Sequence, residues 1–183
     1  MNTEQLKILL NTKNSTELKT IIVQLFKKIP DAKDYIEVNV PLEKEVIQQN
    51  IEKLLKKYKS KLKKFLNPHV PEENYEEEKA IKLIDKIRRM DIDAKAIVEC
   101  ELYFIQCFKN FVINYGFFDE DSYIEIERVF ESACKRMLSH QIVNNYKEDI
   151  DDVVSFGYRY GIFLDDICND LKIPYTILKG KYS

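Results

Sequence analysis

The most apolar stretch of the chain covers residues 93–114 and contains neither Gly nor Pro. Projected on a helix at 100° per residue, its polar side chains fall in one stripe and its apolar side chains cover the remaining circumference. The stripe consists of Lys95, Glu99, Gln106, Lys109, Asn110 and Asn114. A helix that is apolar over most of its surface must be covered on several sides. The pattern therefore predicts the central helix of an all-α core, with Asp93 as its N-cap.

Glu101 is the exception to this pattern, because it lies among the apolar positions of the predicted helix. Burying a lone carboxylate is costly, so the group must find a partner, become protonated or reach solvent at a helix crossing. Two interpretations follow. Glu101 forms a structural pair with an Arg or Tyr of a packed neighbour, or it lines a ligand pocket.

Amphipathic helices are predicted elsewhere along the chain. Apolar residues recur every three or four positions over residues 18–29, and Asn14 and Glu17 have the spacing of a capping box in front of them. Residues 42–66 form a second amphipathic helix, and no acidic residue interrupts its outer face between positions 53 and 64. The basic-face candidates on that helix are Lys53, Lys56, Lys57, Lys63 and Lys64.

The length of 183 residues suits one domain, and only 4 Gly and 5 Pro favour long helices over many short strands. We therefore predict a single all-α bundle of about eight helices around residues 93–114. Residues 1–40 are a candidate N-terminal lobe, and residues 176–183 are predicted to be a flexible tail. The Pro-containing segment 67–71 is the best candidate for a boundary between subdomains.

Charge and cysteine usage narrow the class of protein. The net charge is −2, so there is no global attraction to nucleic acid. The four Cys lie on predicted apolar faces without C-x-x-C spacing, which is typical of reduced core thiols in a cytoplasmic protein. The N-terminal segment lacks the pattern of a signal peptide, and charged residues interrupt the segment 93–114, so no membrane span is predicted.

The sequence contains no recognisable catalytic motif. His69 and His140 are the two histidines, and neither belongs to a metal-binding His-Glu-x-x-His or Glu-x-x-His motif. Phosphate-binding glycine loops and the nucleophile elbow are absent from the sequence. The acidic clusters at 119–121 and 149–152 lack EF-hand spacing. We predict no catalytic residue, no metal site and no cofactor, and the pattern favours a non-enzymatic role.

Two surfaces remain as candidates for binding. The lysine face at 53–64 has the charge to contact phosphates, but it contains no Arg and no exposed aromatic residue, and the acidic run 72–78 follows it. The second surface consists of aromatic residues at two Tyr-Gly corners, which either form a groove for a partner or pack beneath the corners. These aromatic candidates are Tyr115, Phe117, Phe118, Tyr160 and Phe163.

A series of structural positions runs along most of the chain. It begins with the helix pair at 18–26, continues through Asp34-Tyr35-Ile36, Pro41, Ile51, Tyr58, Ala80 and Ile84, and ends with Tyr115-Gly116, Asp119-Glu120 and Tyr123. In this series the chain resembles a bacterial family of small helical proteins classed as a domain of unknown function. The resemblance implies an all-α fold and an intracellular location. It implies no activity and no catalytic residue.

The leading functional hypothesis is a non-enzymatic cytoplasmic module that binds either a protein partner or a second copy of itself. In the second case the chain would form a homodimer. It depends on the lack of catalytic motifs and on the abundance of amphipathic helix faces. The first alternative is a nucleic-acid-binding module that uses the lysine face. The second alternative is a small-ligand binder or enzyme with a pocket at Glu101.

Overall fold

A computed structural model describes residues 1–40, 43–67, 76–116, 120–178 and 180–181. Over these ranges the chain forms α-helices, one short 3-10 helix at Val143–Tyr146 and no strand, which confirms the predicted all-α class. The α-helices are α1 (Thr3–Asn11), α2 (Ser15–Lys28), α3 (Pro30–Asn39), α4 (Lys44–Phe65), α5 (Glu77–Arg88), α6 (Ala94–Tyr115), α7 (Glu120–Ser139), α8 (Lys147–Tyr160) and α9 (Leu164–Leu171).

The chain divides into two compact units, Met1–Asn50 and Ile51–Ser183. The division falls inside α4, beyond the end of the candidate lobe 1–40. Most of the Pro-containing segment 67–71, which the sequence marked as a boundary, lies outside the described residues.

The first unit is built from locally capped helices. The Asn14 side chain accepts from the Glu17 N–H at 2.9 Å, and the Glu17 carboxylate accepts from the Asn14 N–H at 2.9 Å, so the predicted capping box is present. Asn2 and Gln5 make the same reciprocal pair at the start of α1. Neither α1 nor α2 contains a buried residue. These two helices are therefore defined by their own caps rather than by a core.

The second unit is organised around α6, as the sequence predicted. Asp93 caps this helix by accepting from the Lys95 N–H at 3.0 Å. Of its 22 residues, 14 are buried, because α5, α7 and α8 all contact it. Phe104 and Phe108 of α6 are fully buried, as are Phe130 of α7 and Phe156 of α8. These four aromatic side chains are among the largest that are fully buried.

Lys109 departs from the predicted pattern. The sequence placed it in the polar stripe of the central helix, but its side chain is 1% exposed. Its ammonium group pairs with the carboxylate of Asp152 on α8 and lies 5.7 Å from the centre of the Phe156 ring. The packing of α8 over this side of α6 covers the lysine and supplies the opposite charge that burial requires.

Close packing also fixes the C-terminal part of the second unit. A Cβ atom at Gly157 would lie 2.7 Å from the Ile162 carbonyl oxygen, so only glycine fits between α8 and the start of α9. Beyond α9, the Thr176 N–H donates to Asp151 Oδ1 at 2.6 Å and the Leu178 N–H donates to Ser155 Oγ at 2.7 Å. The structure thus attaches part of the segment 176–183, which the sequence predicted to be flexible, to α8.

The helices in the described ranges were compared with the requirements for a membrane-spanning segment. No helix there combines the length and the apolar character that a bilayer crossing requires.

Candidate functional site

Glu101 lies at the meeting point of three helices. Its side chain is fully buried on α6. Arg88 of α5 donates through Nε to Glu101 Oε1 at 2.7 Å, and Ser132 of α7 donates through Oγ to the same oxygen at 2.8 Å. Arg136, one turn further along α7, places its Nε 3.7 Å from Glu101 Oε2. The carboxylate therefore has the Arg partner that one interpretation of the sequence required, and a second guanidinium nearby.

The hydrogen bonding of this cluster is incomplete. Three of its buried atoms have no hydrogen-bond partner in the described part of the chain: Glu101 Oε2, Arg88 Nη2 and Arg136 Nε. One carboxylate thus lies between two guanidinium groups, and it does not satisfy all the N–H donors of either group. Unsatisfied buried polar groups are costly, so they call for an explanation such as a bound water or ligand.

Acidic side chains nearer the surface extend the cluster. Arg88 Nη1 donates to Asp85 Oδ1 at 3.1 Å, and Arg128 Nη2 lies 3.9 Å from the same oxygen. Arg128 also pairs with Glu125, one turn earlier on α7, at 2.7 Å. Each of these two carboxylates is therefore engaged by arginine, and the arginines are held side by side.

A cleft of about 590 Å³ opens to solvent over the cluster. Its walls carry four cationic groups, two serine hydroxyls and one carboxylate. The lining residues are Arg88, Arg128, Glu131, Ser132, Lys135, Arg136 and Ser139. Glu101 is not among them, because it lies beneath Arg88 and Ser132 and contacts both. Glu101 therefore has the arginine partner of a structural ion pair, and it lies outside the lining of the cleft.

A second, smaller pocket of about 240 Å³ lies on another side of α6. Two tyrosines, Tyr103 and Tyr146, and the carboxylates of Asp149 and Asp152 form part of its wall. Lys59 of α4 also contributes: its ammonium group is 2.9 Å from Glu99 and 5.9 Å from the centre of the Tyr103 ring. No pattern in the sequence predicted this pocket.

Burial shifts the pKa values of several groups around the smaller pocket. It raises the pKa of Tyr103, Tyr146 and Asp149 above their ordinary values, and neighbouring Asp152 raises that of Asp149 further. Burial lowers the pKa of Lys109, against the opposing effect of its partner Asp152. Asp149 and Asp152 lie three residues apart on α8 and share one face of that helix. The sequence could not identify them as neighbours of Lys109, because it does not show which helix covers Lys109.

The structure places all five basic-face candidates, Lys53, Lys56, Lys57, Lys63 and Lys64, on the exposed side of α4. Part of the acidic run 72–78 lies outside the described residues. Of the rest, Glu76 pairs with Lys79 and Glu78 pairs with Lys82 at 2.9 Å, each one turn further along its own helix.

The aromatic candidates at the Tyr-Gly corners have different environments. Tyr115 is 54% exposed and stacks against Phe111 of its own helix, with ring centres 5.0 Å apart. Tyr160 is half-buried and packs in the same way on Phe156, at 4.8 Å. Phe163 is 68% exposed. Phe117 and Phe118 lie outside the described residues. Each described tyrosine therefore rests on a phenylalanine one turn before it.

The first unit exposes more large apolar side chains than either corner. Seven such residues on α1 and α2 are between 37% and 67% exposed. They are Leu6, Ile8, Leu9, Ile21, Ile22, Val23 and Leu25. The sequence predicted an amphipathic helix here but did not single out its apolar face as a binding surface.

The four cysteines have differently shifted pKa values: a hydrogen bond from Cys134 lowers the pKa of Cys168, whereas the thiols on α6 are shifted upward. All four Cys are buried and free, and burial raises the pKa of Cys100 to about 12 and that of Cys107 to about 11. Thiols with raised pKa values are poor nucleophiles. Within the part of the chain that the structure describes, no group of three or more His, Cys, Asp or Glu residues is placed to hold a metal ion.

Comparison with known proteins adds no relative: no protein-family model, curated protein or solved structure matches the chain. The resemblance to a bacterial family of helical proteins stays a prediction.

Proposed function

We propose that the chain is a non-enzymatic helical interaction module and that its first unit binds a second copy of itself. The observation that supports this function is the apolar surface of α1 and α2. These helices contain no buried residue, yet they expose seven large aliphatic side chains. Exposed apolar patches on a folded protein are typical of interaction sites, and Ile21, Ile22 and Leu25 recur at the spacing of one face of α2.

The length of α1 makes a partner necessary. Isolated helices shorter than about 12–15 residues are marginal in water, and most helical stability in proteins comes from packing of an apolar face. α1 has 9 residues, and α2 has 14. Covering Leu9 and Ile22 against another surface would stabilise both helices beyond what their capping boxes contribute.

The charge of this surface suits a second copy of the chain. Residues 1–40 carry six lysines and five acidic residues, so two copies meet without strong repulsion. The seven exposed apolar side chains are fewer than the roughly 20–30 residues per side of a standard interface, so we expect a weak dimer. Identical patches related by a two-fold axis form the commonest kind of oligomer.

The test is light-scattering size-exclusion chromatography of the full chain over a concentration series. We expect a dimer that dissociates on dilution. We expect Leu9→Glu and Ile22→Glu each to shift the equilibrium to monomer, because a charge buried in an apolar interface is costly. Ile124→Glu is the matched control, since Ile124 is 58% exposed on α7 in the other unit. It should leave the dimer unchanged.

Two results would overturn the proposal. One is a monomer at every concentration up to about 100 μM, where even a weak dimer is populated. The other is a dimer that persists in both variants of the first unit. If Ile124→Glu alone dissociates the dimer, the interface lies on the second unit.

Nucleic-acid binding by the basic face is the second candidate function. It is supported by the exposure of all five lysines on one side of α4. We expect co-purified nucleic acid to be visible as excess absorbance at 260 nm, since the chain has 11 Tyr and no Trp. Binding should weaken steeply with salt and disappear when Lys56, Lys57, Lys63 and Lys64 are replaced by Glu. Absent or salt-insensitive binding would contradict it.

A further inference from the structure

The cleft over Glu101 has a lining chemistry that the interaction function does not use. Arg88 on α5 and Arg128 and Arg136 on α7 converge on one open cavity, with Ser132 between the two α7 arginines. Ser132 and Arg136 are four residues apart, so they share one face of the helix. Guanidinium groups from two helices at one open cavity are suited to an anion.

A buried anchor holds this surface in place. Glu101 contacts Arg88, Ser132 and Arg136 from beneath, and its own side chain has no exposed area. The carboxylate thus orients the cationic groups without occupying the cleft. Groups that are fixed before a ligand arrives lose little conformational freedom on binding.

The two arginines beneath and beside the cleft differ in what these contacts leave free. Arg88 uses Nε for Glu101 and Nη1 for Asp85, and its Nη2 is buried without a hydrogen-bond partner. Arg136 has one ion-pair contact in the described part of the chain, the long one of 3.7 Å to Glu101. Its terminal guanidinium nitrogens therefore remain available to a ligand in the cleft.

Four positive and four negative side chains of the described residues surround the cleft, so its net charge is zero. This balance determines how a ligand can be recognised there. Arg88, Arg128, Lys135 and Arg136 are opposed by Glu101, Asp85, Glu125 and Glu131. A ligand is consequently recognised by directed donors at short range rather than by a long-range positive field. Arginine is the residue best suited to that task, because its planar fork matches phosphate and carboxylate oxygens.

We propose that this cleft binds the phosphate group of a small phosphorylated metabolite, with the terminal guanidinium nitrogens of Arg136 as the principal donors. Arg128, two turns before Arg136 on α7, and the adjacent Lys135 also line the cleft and would contact a second phosphate of the same ligand. The lining contains no aromatic ring, so a nucleobase gains no stacking contact here. The site therefore favours a compact phosphate or diphosphate over a nucleotide. The proposal is independent of the proposed interaction function.

Isothermal titration of the full chain with inorganic pyrophosphate tests the proposal, with inorganic phosphate and sodium sulfate at equal ionic strength for comparison. Two or three charge-assisted hydrogen bonds predict a dissociation constant on the order of 1 mM or tighter. Arg136→Gln should weaken binding at least about tenfold, since it removes the fork and leaves Arg88 on Glu101. Arg136→Lys keeps the charge and should weaken binding by a smaller factor.

Two controls separate the cleft from other basic surfaces. Arg159→Gln removes an exposed arginine of α8, and the double variant Lys63→Gln, Lys64→Gln reduces the basic face of α4. Both should bind pyrophosphate as the parent chain does. Thermal melting of each variant checks that it is folded, and a poorly folded Arg136→Gln leaves Arg136→Lys as the decisive comparison.

The proposal is overturned if pyrophosphate gives no saturable signal up to about 10 mM. It is also overturned if folded Arg136 variants bind as tightly as the parent chain, or if the double lysine variant alone loses binding. Equal binding of sulfate and pyrophosphate would indicate general anion attraction and would contradict a phosphate site.

Discussion

Helices α2 and α6 have similar local signals and opposite environments. Both begin with a side-chain cap, at Asn14 and Asp93, and both contain apolar residues at helical spacing. α6 buries 14 of its 22 residues, whereas α2 buries none. Caps and periodicity therefore set where a helix forms, but the surrounding elements decide what its apolar face contributes to stability.

A matched pair of substitutions gives the largest test of this difference. Ile105 of α6 is fully buried and Ile22 of α2 is 51% exposed. Ile105→Ala should cost about 2–5 kcal/mol, because it opens a cavity in the core. Ile22→Ala should stay within about 0.5 kcal/mol in dilute solution, where no partner covers it. Urea unfolding at a protein concentration where the chain is monomeric measures both values. Equal costs would mean that the two faces are equally covered.

Gly157 tests how closely the second unit is packed. Gly157→Ala should destabilise it by about 1–3 kcal/mol, because the added Cβ would meet the Ile162 carbonyl oxygen at 2.7 Å. Gly161→Ala is the control, since its Cβ would meet no atom within 4 Å and suffers only from the left-handed backbone, with φ of 74°. A cost at Gly157 no greater than that at Gly161 would show that the contact relaxes freely.

Removal of one N-cap side chain from each unit compares how the same kind of change affects the stability of the two units. Asn14→Ala should cost about 1 kcal/mol and act within the first unit, where it accelerates amide hydrogen exchange over residues 15–28. Asp93→Ala removes the corresponding cap of α6 and should lower the melting temperature of the second unit. If Asn14→Ala lowers that melting temperature equally, the two units unfold together.

The smallest expected effect is a stabilisation at the end of α9. Lys172 adopts a left-handed conformation, with φ of 55° and ψ of 38°. Lys172→Gly should relieve the steric cost of that conformation and raise stability by about 0.5–1 kcal/mol after the greater freedom of glycine in the unfolded chain is deducted. Lys135→Gly, in the middle of α7, should lower stability by about 1 kcal/mol. The same sign for both would refute this account.

The sequence predicted the features that depend on neighbours within one turn. The capping box of Asn14 and Glu17, the cap at Asp93 and the bounds of the central helix all follow from residues two to four positions apart. Such contacts exist in the helix itself, whatever it packs against. The all-α class is then the consequence of several such segments and of few turn signals.

Partners across helices could not be predicted in the same way. Glu101 required a partner by its position, but its partners Arg88 and Ser132 lie 13 and 31 residues away along the chain. Lys109 is buried because Asp152, 43 residues further on, lies on the helix that covers it. Helical periodicity identifies faces, and it contains no information on which faces meet.

The candidate binding surfaces show the same limit. The exposure of the lysine face of α4 could be anticipated, because a run of lysines on an amphipathic helix faces solvent. The arginine-lined cleft could not, since Arg88 and Arg136 come together only when α5 and α7 both pack on α6 at Glu101. Likewise the spacing of apolar residues on α2 indicates a stripe but does not reveal that the described structure leaves it uncovered.

The contacts of the segment after α9 have a consequence for the order in which the chain folds during synthesis. The Thr176 and Leu178 amides bind side chains of α8, and Ile173 is buried. A nascent chain that has not yet reached these positions therefore lacks part of the second unit. The first unit uses none of these contacts, and the capping boxes of α1 and α2 involve residues only three positions apart. On polysomes, where neighbouring nascent chains are close, those helices would be free to meet their counterparts before the larger unit closes.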